Sequence, residues 1–390
     1  MLPPLTAGCP QTSTSEISYP VEVEFDLPLS NPSSLFAQKG RGLERFASLL
    51  PPLAQGLSME EGGTPLVDIT RKVGGRRQIL VKNEALNPTW SHKDRLNLCA
   101  VSAAVHVNAP GVVVASSGNH AVSAAAYAAR ASLRCLVVTT TGMSPSVKQM
   151  LVAMGAAIVA VPVDSRWSVL RDVVENTGYH PVSNLTPTHT GHAWGPEGYK
   201  TIAYEIFTDL GDDLPSAVLV PTGYGEMLFG IAKGFCDLHR LGLVKRIPRL
   251  FSVEPAARGP LYAAMRQARP VAIVDSAPTA QVAIACTIGG VRGTLALAMT
   301  DGAPLKVADE EATRAQQLLA QSGLWFELSS AVGLAAISQL PARLDDGPVV
   351  IIGCSSGLKE PHEEVELPEI ATEFRSIAQH VRDRYGVVLT

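Results

Sequence analysis

The feature that most constrains this 390-residue chain is an alternation of short, unbroken apolar runs with longer stretches rich in alanine and leucine. Gln78-Ile79-Leu80-Val81-Lys82 comes first, then Val112-Val113-Val114-Ala115 with a helical stretch at 120–131. Leu136-Val137-Val138 precedes 144–155, and Ile158-Val159-Ala160-Val161 precedes 166–177. The pattern returns at Ala217-Val218-Leu219-Val220 before 225–241, at Leu250-Phe251-Ser252-Val253, and at Val349-Val350-Ile351-Ile352. Runs without polar alternation read as strands buried on both faces, the mark of parallel sheets covered by helices. The predicted class is therefore α/β, open, doubly wound and mostly parallel. The runs number about twice what one sheet needs, so two such domains are expected.

Composition removes several function classes. With 46% hydrophobic and 17% charged residues, the chain has enough apolar surface to offset its entropy, which excludes disorder. A net charge of −4 without a basic block excludes a general nucleic-acid binder. No apolar run reaches the roughly 18 residues of a membrane span. The start, MLPPLTAGCP, has neither the basic leader nor the apolar stretch of a signal peptide. The six cysteines, at 9, 99, 135, 236, 286 and 354, never form a C-x-x-C pair, so reduced thiols and a cytoplasmic compartment are expected. Residues 1–50, rich in Pro, Ser and Thr with a strand-like run Val21-Glu22-Val23-Glu24-Phe25, read as an arm.

Parallel sheets bind ligands beyond the carboxyl ends of their strands, so the residues after each run carry the functional signal. In Asn87-Pro88-Thr89-Trp90-Ser91-His92-Lys93-Asp94-Arg95, the Thr89 and Ser91 hydroxyls are expected to cap a helix whose first turn holds Lys93. The helix field would lower that amine's pKa, as suits a nucleophile. Taken alone, a surface lysine beside Asp94 and Arg95 explains the run better. Ser116-Ser117-Gly118-Asn119-His120 offers backbone N–H groups to an anion, or is an ordinary capped turn. Pro221-Thr222-Gly223-Tyr224-Gly225-Glu226-Met227 has two close glycines that suit a phosphate. A dinucleotide fingerprint would need glycine at Leu228, although Glu254 stands where a ribose-binding acid would. Finally, Cys354 in Gly353-Cys354-Ser355-Ser356-Gly357-Leu358-Lys359 either meets a ligand nitrogen or is a core thiol.

In order, these junctions resemble the fold-type II pyridoxal-phosphate enzymes, the tryptophan synthase beta superfamily, and within it most closely the threonine synthases. The resemblance is carried by Glu61-Gly62-Gly63-Thr64-Pro65-Leu66, Asn87-Pro88-Thr89 with Lys93-Asp94-Arg95, and Ser117-Gly118-Asn119. Ala124 to Arg130, Glu197-Gly198-Tyr199-Lys200-Thr201, the glycines at 223–225 and Gly357-Leu358-Lys359 complete it, over roughly residues 40–365.

The resemblance implies pyridoxal 5'-phosphate as cofactor, held by Lys93 as a Schiff base. It implies Asn119 beside the ring hydroxyl, Gly223, Tyr224, Gly225, Glu226 and Met227 around the phosphate, and Cys354 at the pyridine nitrogen. Ser117, Gly118 and His120 would grip the α-carboxylate of a small amino-acid substrate. It further implies a homodimer, a large cofactor-binding domain from 51–95 and 201–390, and a small mobile domain at 96–200. The implied activity is that of a lyase converting O-phosphohomoserine and water to threonine and phosphate. A neutral group at the ring nitrogen moderates the electron sink and favours elimination and replacement.

The sequence also departs from the threonine synthase pattern. His120 stands for a common Thr, His92 for Phe and Trp90 for a small residue, and Tyr224 and Glu226 replace an Asn-containing loop. A carboxylate at 226 repels a phosphate unless it turns away or binds a cation. Gly118-Asn119-His120 also resembles the hydroxy-amino-acid dehydratases, so a β-eliminating dehydratase, a β-replacing synthase or a catalytically silent regulatory relative remain alternatives. Many relatives carry an N-terminal cysteine zinc ribbon; only Cys9 is present here, so no metal is expected. Lys148, Arg166 and Arg171 are candidates for a substrate phosphate, with solvated helix cations as the plainer reading. His180, His189 and His192 read as loop histidines, Trp194 as packing, and Lys200 as the ion-pair partner of Glu197.

Overall fold

The computed structural model describes residues 6–27, 30–36, 42–75, 77–211, 213–361 and 366–389. The first five residues of the segment inspected for a leader lie outside these. Among the described residues ten strands form in chain order: β1 Leu66–Asp68, β2 Ile79–Asn83, β3 Gly111–Ala115, β4 Arg134–Thr139, β5 Ala157–Ala160, β6 His180–Pro181, β7 Ala217–Pro221, β8 Arg249–Pro255, β9 Ala303–Val307 and β10 Val349–Gly353. They build a six-stranded sheet in the order β1-β2-β10-β7-β8-β9 and a four-stranded sheet in the order β5-β4-β3-β6. Every pairing is parallel except β1 with β2, so the α/β, doubly wound, mostly parallel class holds in two sheets.

Burial on both faces explains why the runs lack polar alternation. In the large sheet Leu80, Val218, Val220, Val350 and Ile352 join one apolar cluster, whereas Ile79, Val81, Ala217, Leu219, Val349 and Ile351 join clusters on the other face. The first cluster also takes Val112, Val114 and Val137 of the small sheet, making one core across both sheets. Each such valine, leucine or isoleucine stabilises the fold by about 1.5–3 kcal/mol on burial.

Two local readings are corrected. Ile158 to Val161 is not a doubly covered strand: β5 is the edge of the small sheet, and Val159 is 44% exposed. Val21 to Phe25 forms no strand. Instead the Val21 and Val23 carbonyls accept from the Arg292 guanidinium and the Lys233 ammonium, because side-chain cations, not a sheet edge, meet this stretch. Conversely, β9 escapes a search for apolar runs because Pro304 and Lys306 interrupt it.

Contacts divide the chain into Met1–Glu360 and Pro361–Thr390. The latter contains the helix Phe374–Tyr385, none of whose side chains is buried. Among the described residues, no helix is long and apolar enough to cross a membrane.

Candidate active site

The helix Lys93–His106 begins on Lys93 itself, with His92 as its cap residue. The expected hydroxyl cap is absent. The Thr89 N–H and hydroxyl donate to the Asp94 carboxylate, and the buried Ser91 hydroxyl finds no hydrogen-bond partner among the described residues. Asp94 attracts these donors because it carries in the first turn the negative charge that the helix field favours. The surface-lysine reading also fails: Lys93 is half-buried, and Asp94 and Arg95 beside it are fully buried. Arg95 bonds Glu84 Oε2 and Glu205 Oε1 at 2.7 Å each and Thr201 Oγ1 at 2.8 Å, which anchors the start of the helix. A Cβ at Gly198 would lie 1.9 Å from the Arg95 carbonyl, so only glycine allows the helix Gly195–Leu210 to pack this closely.

That packing brings Tyr199 to the lysine. Lys93 Nζ donates to the Tyr199 hydroxyl at 3.2 Å and stands 5.6 Å from the ring centre. Burial lowers the Lys93 pKa, against the opposing pull of Glu226, Cys354, Cys286 and Glu327. Burial pushes the Tyr199 phenol well above its ordinary range, so it stays neutral.

Cys354 follows β10, and its carbonyl accepts from the His92 N–H at 2.9 Å and lies 3.1 Å from His92 Nδ1. Burial first, then Glu327, drive the Cys354 thiol well above its usual pKa. Asn119 opens the helix Asn119–Arg130. Its Oδ1 accepts from Ser355 Oγ at 2.9 Å, which ties the end of β10 to the end of β3. Ser117 is exposed. Gly118 faces open space: a Cβ there would meet nothing within 4 Å among the described residues. His120 Nε2 is buried without a hydrogen-bond partner among the described residues. Burial, reinforced by Lys93, lowers the His120 pKa to about 3, which leaves a neutral imidazole.

The glycine loop follows β7. Gly225 adopts a left-handed φ of 92°, and a Cβ there would come 2.7 Å from Gly293 Cα, so the turn into the helix Glu226–Arg240 requires glycine. Gly223 faces the Cys286 thiol, and the Tyr224 ring stacks on His189 at 4.0 Å. Met227 is buried. Glu226 lies against Gly191, with Arg292 Nη1 3.6 Å and His189 Nε2 4.0 Å from its oxygens. Burial raises the Glu226 pKa, opposed by Arg292 and then Lys93. Glu254 has another use: it accepts from the Leu261 and Tyr262 N–H groups at 2.9 and 2.7 Å, at the start of the helix Pro260–Arg266. The ribose-binding reading therefore loses its acid.

Glu226, Cys354 and Glu327 lie near enough to act on the Lys93 amine, Lys93 acts on His120, Glu226 acts on Tyr224, and Asn119 joins this group through its hydrogen bonds to Glu327. Lys148 is exposed, Arg166 Nε donates to the Val163 carbonyl, and Arg171 Nη2 to the Leu185 carbonyl. Lys200 pairs with Glu197 at 2.8 Å and also with Asp237 at 3.0 Å. His180 and His192 are buried, not loop-exposed, with their Nε2 atoms 2.9 Å apart, because the polar segment around them folds into the protein. Trp194 packs on Cys99 and Ala103. Among the described residues no group of three or more His, Cys, Asp or Glu side chains is placed to hold a metal. A cavity of about 660 Å³ bordered by Pro110, Cys135 and Tyr179 lies at the opposite, amino ends of β3 and β4.

Tyr199, Arg292, Glu327 and Ser355 were missed as site residues. Tyr199 and Ser355 sit inside runs already singled out, so proximity in sequence offered a clue; Arg292 and Glu327 carry no local signal.

Comparison with known proteins then places the chain among relatives. The family described as "Pyridoxal-phosphate dependent enzyme" matches residues 57–355. The threonine synthase of Methanocaldococcus jannaschii is 30% identical over 344 residues, covering 84% of this chain and 83% of that protein. That of Synechocystis sp. is 29% identical over 93% of this chain and 88% of its own length. Among solved structures, a threonine deaminase from T.th. superposes with a TM-score of 0.65 at 25% identity, covering 77% of this chain and 94% of that one.

Proposed function

Because the chain belongs to the family of pyridoxal-phosphate dependent enzymes, we propose that it is a lyase acting on a small amino acid, with O-phosphohomoserine and water giving threonine and phosphate. The observation that carries this reading is the 30% identity to a threonine synthase over 84% of the chain.

The residues present fit the cofactor. A lysine with a lowered pKa, a His120 Nε2 without a partner among the described residues, the open space at Gly118 and the free N–H groups at the start of the helix Glu226–Arg240 support that fit. Bound there, pyridoxal phosphate would supply an electron sink that acidifies the substrate's Cα proton. Lys93 would hold it, Asn119 would face its ring oxygen and Cys354 its ring nitrogen, and the backbone of Gly223 to Met227 would take its phosphate. Arg292 offsets the charge of Glu226 at that loop. Ser117, Gly118 and His120 would orient the substrate carboxylate. The free Lys93 amine is the base for the Cα proton, and the neutral Tyr199 hydroxyl steadies its protonated form. Movement of the segment 96–200 over the site would exclude water.

His120 favours a second reading, a β-eliminating dehydratase, since its unpartnered nitrogen stands in the Gly118-Asn119-His120 run. Purified, cofactor-loaded protein incubated with O-phosphohomoserine, L-threonine or L-serine separates the two. Equimolar phosphate and threonine from the first substrate is expected. Ketoacid from the latter two, without phosphate release from the first, would replace the synthase with the dehydratase.

A further inference from the structure

The Asn119 side chain is gripped from two sides. Its Nδ2 donates to both oxygens of Glu327, at 3.2 and 3.0 Å, while Oδ1 meets Ser355 Oγ at 2.9 Å. An asparagine amide can sit either way round, so its orientation depends on its partners. Ser355 cannot choose, because a hydroxyl either donates or accepts. The same hydroxyl also lies 3.1 Å from the Trp90 carbonyl, which offers its proton another acceptor. An ionised carboxylate only accepts, so Glu327 demands the amino end.

Glu327 is itself held in place. It is buried, its N–H donates to the Ser355 carbonyl at 3.1 Å, and the flanking Phe326 bridges to Ser356. Ser330 Oγ approaches its Oε1 at 3.4 Å. Burial raises the Glu327 pKa, and the Asn119 amide, Lys359 and Ser330 oppose that rise.

We propose that Glu327 is a positioning residue that fixes the flip state of Asn119, so that the second Nδ2 proton, and not the carbonyl, is turned to the ring oxygen of the bound cofactor. This rests on the reading of Asn119 given above. An N–H in that place favours the deprotonated ring oxygen, whereas a carbonyl would favour the protonated one. Glu327 therefore acts on the cofactor through Asn119 without touching it.

The test is the absorbance of the loaded protein in Glu327→Gln, Glu327→Asp, Asn119→Ala and Lys93→Ala. The glutamine side chain both donates and accepts, so it removes the bias without changing shape. In E327Q the ratio of the visible band to the near-ultraviolet band is expected to fall roughly tenfold, the lower end of what the loss of one charge-assisted hydrogen bond implies. E327D, which keeps a carboxylate, is expected to recover most of the ratio. A wild-type ratio in E327Q, or the same change in E327D as in E327Q, would overturn the proposal. If N119A leaves the spectrum unaltered, or K93A keeps the visible band, the reading of the site itself fails instead. A second measurement needs no cofactor: the Asn119 side-chain amide protons, assigned by their loss in N119A, should exchange with solvent faster in E327Q than in wild type. Equal exchange would also overturn the proposal.

Discussion

Arg292 stands between two carboxylates from distant parts of the chain, with its Nη1 3.6 Å from Glu226 Oε1 and its Nε 2.6 Å from Glu22 Oε1. Glu226 opens the helix behind the glycine loop, where an unpaired negative charge would repel a phosphate, and Glu22 belongs to the N-terminal stretch. One guanidinium thus faces the carboxylate behind the loop and ties down that stretch. It also donates to the Thr190 carbonyl, so its position is set by at least three segments.

Removing this cation strands Glu226 in a buried place. Arg292→Met is expected to cost about 3 kcal/mol of stability, since breaking a buried pair leaves an uncompensated charge. Adding Glu226→Gln should restore at least half of that. Denaturant midpoints of the single and double variants measure it; a double variant no more stable than Arg292→Met would show that the charge of Glu226 is not the cause.

Arg95 is a second anchor, and it lies next to the lysine. Glu205→Gln weakens its contacts to Glu205 and those of Lys82 together. A loss of about 3 kcal/mol is expected, with weaker cofactor retention because the start of the Lys93 helix loosens. Unfolding curves and the cofactor content of the purified variant report the two effects. Unchanged stability would mean that the network is dispensable.

Tyr199→Phe removes the hydroxyl that accepts from Lys93 Nζ. A hydrogen bond to the charged amine favours it, so its loss lowers the Lys93 pKa further. The pH at which cofactor-free protein takes up pyridoxal phosphate at half its maximal rate is therefore expected to move down. Stopped-flow absorbance across pH tests this, and a shift upward would contradict the assigned donor.

Glu254 makes stability depend on pH. Burial raises its pKa to about 7, opposed by the Leu261 and Tyr262 N–H groups and Lys306. The folded state then binds the proton more tightly than the unfolded chain, so its contribution is full below the unfolded value near 4.5 and is lost as pH rises through about 7. Wild type should lose stability relative to Glu254→Gln between about pH 5 and about pH 8, with a slope of up to roughly 1.4 kcal/mol per pH unit. Parallel pH profiles of the two proteins would rule this out.

Strand positions were readable because their signal is local. Val112 to Ala115 and Val349 to Ile352 are apolar at every position, and residues buried on alternate faces leave no other pattern. β9 and the exposure of β5 were not readable, the first because Pro304 and Lys306 interrupt its run, the second because edge position is a property of strand order. The junctions after β3, β7 and β10 were found by the rule that ligands gather at carboxyl strand ends, which needs only the strands and their direction. The state of the charged groups at those junctions was hidden: nothing in the run Lys93-Asp94-Arg95 says that two of the three are fully buried.

The sequence by itself therefore determined the α/β class, the parallel sheets, the family and its cofactor, because apolar periodicity and short ordered motifs are written along the chain. Only the tertiary structure decided that Lys93 meets Tyr199, Glu226 meets Arg292, and Asn119 meets Glu327. Those partners lie 106, 66 and 208 positions apart, too far for any local pattern to encode. Helices packed on two sheets bring them together, and the loss of water there lowers the Lys93 pKa and raises that of Glu226 against the pull of Arg292.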